Sequence, residues 1–137
     1  MIRAKKSLGQ NFLTDEIIIN RLLETVSPKK QDNFFEVGSG RGEVTREITP
    51  IVRGLDAVEI DKDLIQNLKR LESEFTNLTI HKNNVLNIRL EELSEEELKF
   101  RVIGNLPYNL SSKVMLWTFS NSEHILDIHY MFQKEFG

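Results

Sequence analysis

Gly38, Gly40 and Gly42 stand at alternate positions directly after the apolar run Phe34-Phe35-Glu36-Val37 and just before a segment with helical spacing. No other feature constrains the fold as tightly as this strand–turn–helix. Three glycines at every second position let the backbone turn sharply and let a ligand come into van der Waals contact with it. The dinucleotide fingerprint sets its third glycine three residues after the second, where a helix amino terminus meets a pyrophosphate. Here the third glycine comes two residues after, which weakens a nicotinamide reading.

Around that turn, short β-rich runs alternate with longer segments of helical period. Thr14 or Asp15 can cap a helix whose apolar positions are Ile18, Leu22, Leu23 and Val26, stopped by Ser27-Pro28. A short helix from about Glu43 ends at Thr49-Pro50. A second strand runs from Leu55 to Ile60, and Asp61 can cap a helix carrying Leu64, Ile65, Leu68 and Leu71 on one face. Leu78 to His81 reads as a third strand. Phe100 to Ile103 reads as a fourth, ending at Gly104-Asn105-Leu106-Pro107-Tyr108. Ser111 or Ser112 can start a helix through Val114, Met115, Trp117 and Phe119, and Ile125 to Phe132 is a fifth strand. Such alternation implies an α/β fold, doubly wound, with a mostly parallel sheet and helices on both faces. Ligands on these sheets bind beyond the carboxyl ends of the strands, where the strand order switches. Every polar cluster singled out below falls at such an end.

Composition narrows the function classes. At 137 residues the chain has room for one core, and no repeat or low-complexity linker divides it. Zero cysteines exclude a disulfide framework, a cysteine-ligated zinc site and a thiol nucleophile. His81, His124 and His129 are too scattered for a ligand cluster, so no metal is expected. The apolar stretches are too short to span a bilayer. Arg3, Lys5 and Lys6 start the chain like a signal peptide, but Ser7-Leu8-Gly9-Gln10-Asn11 supplies no apolar segment behind them. The expectation is a cytoplasmic protein, a monomer, with no membrane partner. A net charge of −3 argues against binding nucleic acid through bulk positive charge. Much of the acid sits in Glu91, Glu92, Glu95, Glu96 and Glu97, a run that reads as a solvated helix face. The basic amino terminus could reach phosphates, although such segments are more often solubilised tails.

Besides the glycine turn, three strand ends carry candidate chemistry. Glu59 closes the second strand, seventeen residues beyond Gly42, where a carboxylate can accept hydrogen bonds from both hydroxyls of a ribose. An ordinary helix-capping acid is the competing reading. Asn83-Asn84-Val85 follows the third strand: an amide oxygen there can accept from an adenine amino group and a backbone N–H can donate to a ring nitrogen, while paired asparagines also simply favour turns. Asn105-Leu106-Pro107-Tyr108 is the sharpest signal. Proline fixes φ and cannot donate, which leaves the carbonyls around it aimed outwards. An amide oxygen, such a carbonyl and an aromatic ring suit a planar group bearing an exocyclic NH₂, with two acceptors for its hydrogens and a face to stack on. A polar turn with a half-buried tyrosine is the plainer alternative.

Gly9-Gln10-Asn11-Phe12-Leu13, Glu36-Val37-Gly38-Ser39-Gly40-Arg41-Gly42, Val58-Glu59-Ile60-Asp61 and Gly104-Asn105-Leu106-Pro107-Tyr108-Asn109-Leu110-Ser111 occur in the order and spacing of a known family. In these motifs, and in Met131-Phe132-Gln133-Lys134-Glu135, the chain resembles the ribosomal RNA adenine dimethyltransferases over its whole length. The resemblance implies a Rossmann-like S-adenosylmethionine-dependent methyltransferase fold and dimethylation of the exocyclic amino group of adenines in ribosomal RNA. S-adenosylhomocysteine would be the product and no metal would be needed. The Gly9-Gln10 start and Leu106 look closer to the small-subunit enzymes than to the large-subunit, macrolide-resistance branch.

Carried over by residue, Gln10, Asn11 and Leu13 would close over the cofactor. Glu36, Gly38 and Gly40 would hold its methionine part, Glu59 and Ile60 its ribose, and Asn84 and Val85 its adenine. Asn105, Leu106, Pro107 and Tyr108 would grip the target base, with Asn105 also beside the cofactor. Asn84 stands where the family usually has aspartate, and Lys113 where many relatives have proline. Family members continue through two more strands and a helical domain that carries the basic RNA-contacting surface. The expectation is therefore an incomplete catalytic domain over residues 1–137, truncated after the fifth strand, weakly active or inactive by itself, with ribosomal RNA or the small subunit as partner. A non-catalytic nucleotide-binding or RNA-assembly module is the alternative from another class.

Overall fold

The computed structural model describes residues 16–93 and 98–132. The elements run α1 (Glu16–Val26), β1 (Asn33–Val37), α2 (Glu43–Ile48), β2 (Gly54–Glu59), α3 (Lys62–Glu72), β3 (Leu78–Lys82), α4 (Leu90–Leu93), β4 (Phe100–Leu106), α5 (Ser111–Ser120) and β5 (Ile125–Phe132). Single 3₁₀ turns lie at Val85–Asn87, Tyr108–Leu110 and Ser122–His124. The strands form one sheet in the order β3-β2-β1-β4-β5, parallel at every pairing. The order reverses between β1 and β4, so the switch point lies at their carboxyl ends. No described helix is long and apolar enough to cross a membrane.

The two-residue period of the strands builds two cores. Phe34 of β1 joins Leu22 and Val26 of α1, Ile48 of α2 and Leu68 of α3 on one face. Phe35 and Val37 face the other way, against Phe100, Val102, Val114 and Trp117. The Trp117 ring stacks on Phe35 at 5.5 Å, and its indole N–H donates to the Ile88 carbonyl at 2.8 Å. Asp61 caps α3 as its position suggests, accepting from the Asp63 N–H at 2.8 Å. The edge of β3 is closed by α3, whose Glu72 accepts from the Ile80 N–H at 2.6 Å.

Two strand ends and one helix position differ from the sequence expectation. The fourth strand continues past Ile103 to Leu106, because Gly104, Asn105 and Leu106 pair with Tyr130, Met131 and Phe132 of β5. Gly104 is required there by space: a Cβ would lie 2.9 Å from the Val37 carbonyl oxygen and 3.3 Å from the Tyr130 ring. The second strand stops at Glu59, and Ile60 is exposed beyond it. Phe119, expected among the apolar positions of its helix, is exposed on α5. Glu91 and Glu92 are exposed on α4, while Glu95, Glu96 and Glu97 lie outside the described residues, as do the caps Thr14 and Asp15.

The amino-terminal end of the sheet is fastened by one cation. Arg101 of β4 holds Asp127 with Nε and Nη2 at 2.9–3.1 Å, Asp32 with Nη1 at 2.9 Å and the Val26 carbonyl at the end of α1 with Nη2 at 2.6 Å. Its guanidinium also lies over the Phe34 ring, 5.1 Å from the centroid. A planar fork with five donors suits this set, whereas a lysine could not span it. Ser27 adopts a left-handed φ of 49° and ends α1 ahead of Pro28, delivering those carbonyls to Arg101. Arg101→Leu should cost about 2–4 kcal/mol in urea unfolding, because it strands two carboxylates and a helix carboxyl end. A loss below 0.5 kcal/mol, the scale of exposed ion pairs, would show that the network is dispensable.

Candidate functional site

A cleft of about 490 Å³ opens at the switch point, within the range of sites that hold small-molecule cofactors. Its floor is the loop from β1 to α2, in which Gly38, Gly40 and Gly42 take φ of 71°, 58° and 81°. At Gly38 the left-handed turn brings the loop close beneath the end of β4, so that a Cβ would sit 3.9 Å from the Asn105 carbonyl oxygen.

Glu59 anchors that loop. Its Oε1 accepts from the Gly40 N–H at 2.8 Å, and its Oε2 accepts from the Ile60 and Asp61 N–H groups at 3.1 Å each. The residue is buried, so the carboxylate exchanges water for three amides and fixes the loop against the end of β2. The bend it imposes ends the strand before Ile60.

Glu36 lies deeper, 4% exposed, accepting from the Thr45 hydroxyl of α2. Burial, reinforced by the charges of Glu43 and Glu59, pushes its pKa up to about 8 against the opposing Thr45 hydrogen bond. Near neutral pH this carboxyl is largely protonated.

Asn105 comes from β4. Ile103 pairs with Glu36 across the β1–β4 ladder, and the strand period places Asn105 on the same side. Its Oδ1 is fully buried in the cleft and has no hydrogen-bond partner. Ser39 Oγ, in a side chain 4% exposed, is the other such atom among the described residues, and it too lines the cleft. A buried polar atom without a partner costs roughly 1–3 kcal/mol, and such atoms in a cleft are positions for a ligand's polar groups.

The structure thus gathers Glu36, Gly38, Gly40, Glu59, Ile60, Asn84, Val85, Asn105, Leu106 and Pro107 around one cleft. Tyr108 stands apart at 63% exposure beyond Pro107, outside the lining. Gln10, Asn11 and Leu13 lie outside the described residues. Two local expectations change in detail. The Asn84 oxygen caps the turn that follows, accepting from the Leu86 N–H at 3.0 Å, which is the turn-forming use of an asparagine. Of the carbonyls around the proline, that of Pro107 closes the 3₁₀ turn by accepting from the Leu110 N–H at 3.1 Å, and that of Tyr108 accepts from the Ser111 hydroxyl at 2.8 Å. The sequence reading assigned no role to Ser39. Its only signal there is a hydroxyl inside a loop otherwise built from glycines and Arg41.

A doubly wound parallel sheet with a glycine-rich loop and an unpartnered amide at its switch point defines a Rossmann-like fold of the S-adenosylmethionine-dependent methyltransferase class. Solved structures of this class superpose on it. The 23S rRNA methyltransferase ErmE matches with a TM-score of 0.69 and 27% identity, over 81% of this chain and 43% of its own. A dimethyladenosine transferase from Plasmodium falciparum matches in fold with a TM-score of 0.71 and 23% identity, over 88% of this chain and 42% of its own. The family model described as "Ribosomal RNA adenine dimethylase" matches residues 1–137, and the chain belongs to that family. Curated proteins named ribosomal RNA small subunit methyltransferase A are similar to it: that of Shewanella piezotolerans is 39% identical over 132 residues and that of Methylobacillus flagellatus 40% over 132. Each alignment covers 96% of this chain, which spans about half the length of those relatives.

The Glu36 carboxyl makes stability depend on pH. Its folded pKa of about 8 lies above its ordinary value of 4.5, so its contribution is full below pH 4.5 and is lost as pH rises towards 8. Glu36→Gln keeps the shape and removes the proton equilibrium. Urea unfolding at a series of pH values between 5 and 8 should show a flatter stability curve for the variant. Parallel curves would mean that Glu36 does not titrate in this window.

Proposed function

We propose that the whole protein to which this chain belongs transfers methyl groups from S-adenosylmethionine to the exocyclic amino group of adenines in small-subunit ribosomal RNA, twice per base. The observation that carries the reading is the buried, unpartnered Oδ1 of Asn105 at the end of β4. The sequence relatives support the small-subunit branch through their names and their identity to this chain.

The cleft fits the cofactor. The cleft volume lies in the range of small-molecule sites, and its lining carries the acids Glu43 and Glu59 against the single cation Arg41, as a cationic ligand requires. When bound, S-adenosylmethionine supplies a methyl group on a positive sulfur and leaves as a neutral thioether. The residues of the chain do the rest by position. An adenine amino group is a weak nucleophile because its lone pair is delocalised into the ring. The Asn105 Oδ1 accepts one of its N–H bonds and the Leu106 carbonyl, fixed ahead of Pro107, accepts the other. Both bonds favour a pyramidal nitrogen whose lone pair points at the methyl group. Alignment in a cleft with apolar walls can supply most of the acceleration. Each transfer releases one amine proton to solvent; one N–H remains after the first, so Asn105 serves the second as well. Tyr108, exposed beyond Pro107 and outside the cleft lining, offers its ring to the flipped base. A reaction on ribosomal RNA accords with the cytoplasmic setting expected from composition.

Calorimetric titration of the chain with S-adenosylhomocysteine and with NAD tests the cofactor. Binding of the first alone is expected, and preference for NAD would overturn the assignment. Methylation of small-subunit particles by a chain extended to the length of its relatives tests the reaction. Asn105→Ala should nearly abolish transfer in that chain while leaving affinity for S-adenosylhomocysteine within about twofold, since its oxygen is assigned to the nucleophile. Tyr108→Ala should weaken base capture by roughly 1–3 kcal/mol, the worth of one base–aromatic stack. Normal transfer by the Asn105 variant would refute the mechanism.

A further inference from the structure

Ser39 Oγ and Asn105 Oδ1 are a donor and an acceptor in the same cleft, both buried, and they do not bond to each other. Asn105 is spoken for by the target amine, which leaves the hydroxyl to be explained. Four backbone donors of the loop that carries it are already spent. The Gly38 and Ser39 N–H groups donate to the Val58 carbonyl at 3.0 and 3.3 Å, that of Gly40 donates to Glu59 at 2.8 Å, and that of Gly42 donates to the Ser39 carbonyl at 2.9 Å. An anionic group arriving over the glycines therefore meets no free amide at these four positions. The Glu43 and Glu59 carboxylates of the lining would repel it, and Arg41, the one cation of the lining, is an exposed side chain. The buried side-chain donor of this loop is the Ser39 hydroxyl.

We infer that Ser39 binds the carboxylate at the amino-acid end of the cofactor, its hydroxyl donating to a carboxylate oxygen. The inference rests on the cofactor reading above and adds to it the group that orients the methionine part. A ligand carboxylate at this point satisfies the stranded hydroxyl and replaces the amides that the glycine turn has used internally. It also fixes the amino-acid arm at its far end, so the sulfur can be aimed towards Asn105.

Ser39→Ala tests this with two ligands that share the nucleoside and differ at the arm. S-adenosylhomocysteine carries the amino-acid end and methylthioadenosine lacks it. Calorimetry should show S-adenosylhomocysteine bound about tenfold more weakly by the variant, with methylthioadenosine within about twofold of the unsubstituted chain. Without ligand the variant should melt at the same temperature or a few degrees higher, because an unsatisfied buried hydroxyl has been removed. Unchanged affinity for S-adenosylhomocysteine overturns the inference. So does an equal loss for both ligands, which would assign Ser39 to loop shape, or a lower melting temperature, which would assign its hydroxyl a partner within the fold. If the unsubstituted chain binds neither ligand, the cofactor reading fails first, and this inference falls with it before any substitution is made.

Discussion

Two loops that must cooperate in the site are held together by the carboxylate of Glu59. Parallel strands deliver their carboxyl ends to one side of the sheet, but each end opens into a separate connection with no sequence link to its neighbour. Glu59 bridges them, gripping the glycine loop at Gly40 with one oxygen and the turn into α3 at Ile60 and Asp61 with the other. Because it is buried, its three charge-assisted bonds face little competition from water. The left-handed path of the loop, the early end of β2 and the shape of the cleft floor all depend on that anchor. With three amides on it, Glu59 is first of all a scaffold residue, with limited hydrogen-bonding capacity left over.

The two ends of the sheet treat polar groups in opposite ways. At the amino-terminal end, Arg101 satisfies two carboxylates and a helix end at once, and its ring contact with Phe34 seals the arrangement. At the carboxyl-terminal end, Ser39 and Asn105 are left without partners and Glu36 is buried beside two further acids. Each of those features costs stability. Their concentration in one cleft, at the end of the sheet opposite the Arg101 network, is the physical mark of a surface shaped for a ligand.

Much of this was legible in the residues. Strand–helix alternation, the glycine turn, the Asp61 cap and the polar clusters at strand ends depend on local propensity and period, so they survive translation from sequence to structure. Glu36, Gly38, Glu59 and Asn105 come together in one cleft because each closes or directly follows an apolar run that forms a strand. What escaped the reading is long-range. Gly104 and Asn105 have poor strand propensity, and the segment Gly104-Asn105-Leu106 is strand because β5 pairs with all three residues and β1 with Gly104. Phe119 follows helical spacing and is nevertheless exposed, since no described element covers that side of α5. Asn84 lines the cleft, but its oxygen goes to the Leu86 N–H of the turn that follows.

By itself, then, the sequence determined the fold class, the order of elements and the family, because these follow from hydrophobic period, turn chemistry and motif spacing within a few residues. Tertiary structure alone decided which polar atoms remain available. Whether the amides of the glycine loop are free, whether Ser39 has a partner and whether Glu36 keeps its proton all depend on groups that are distant along the chain and adjacent in space. Hydrogen-bond capacity is finite and burial is collective, so both are settled only when the strands and helices have packed.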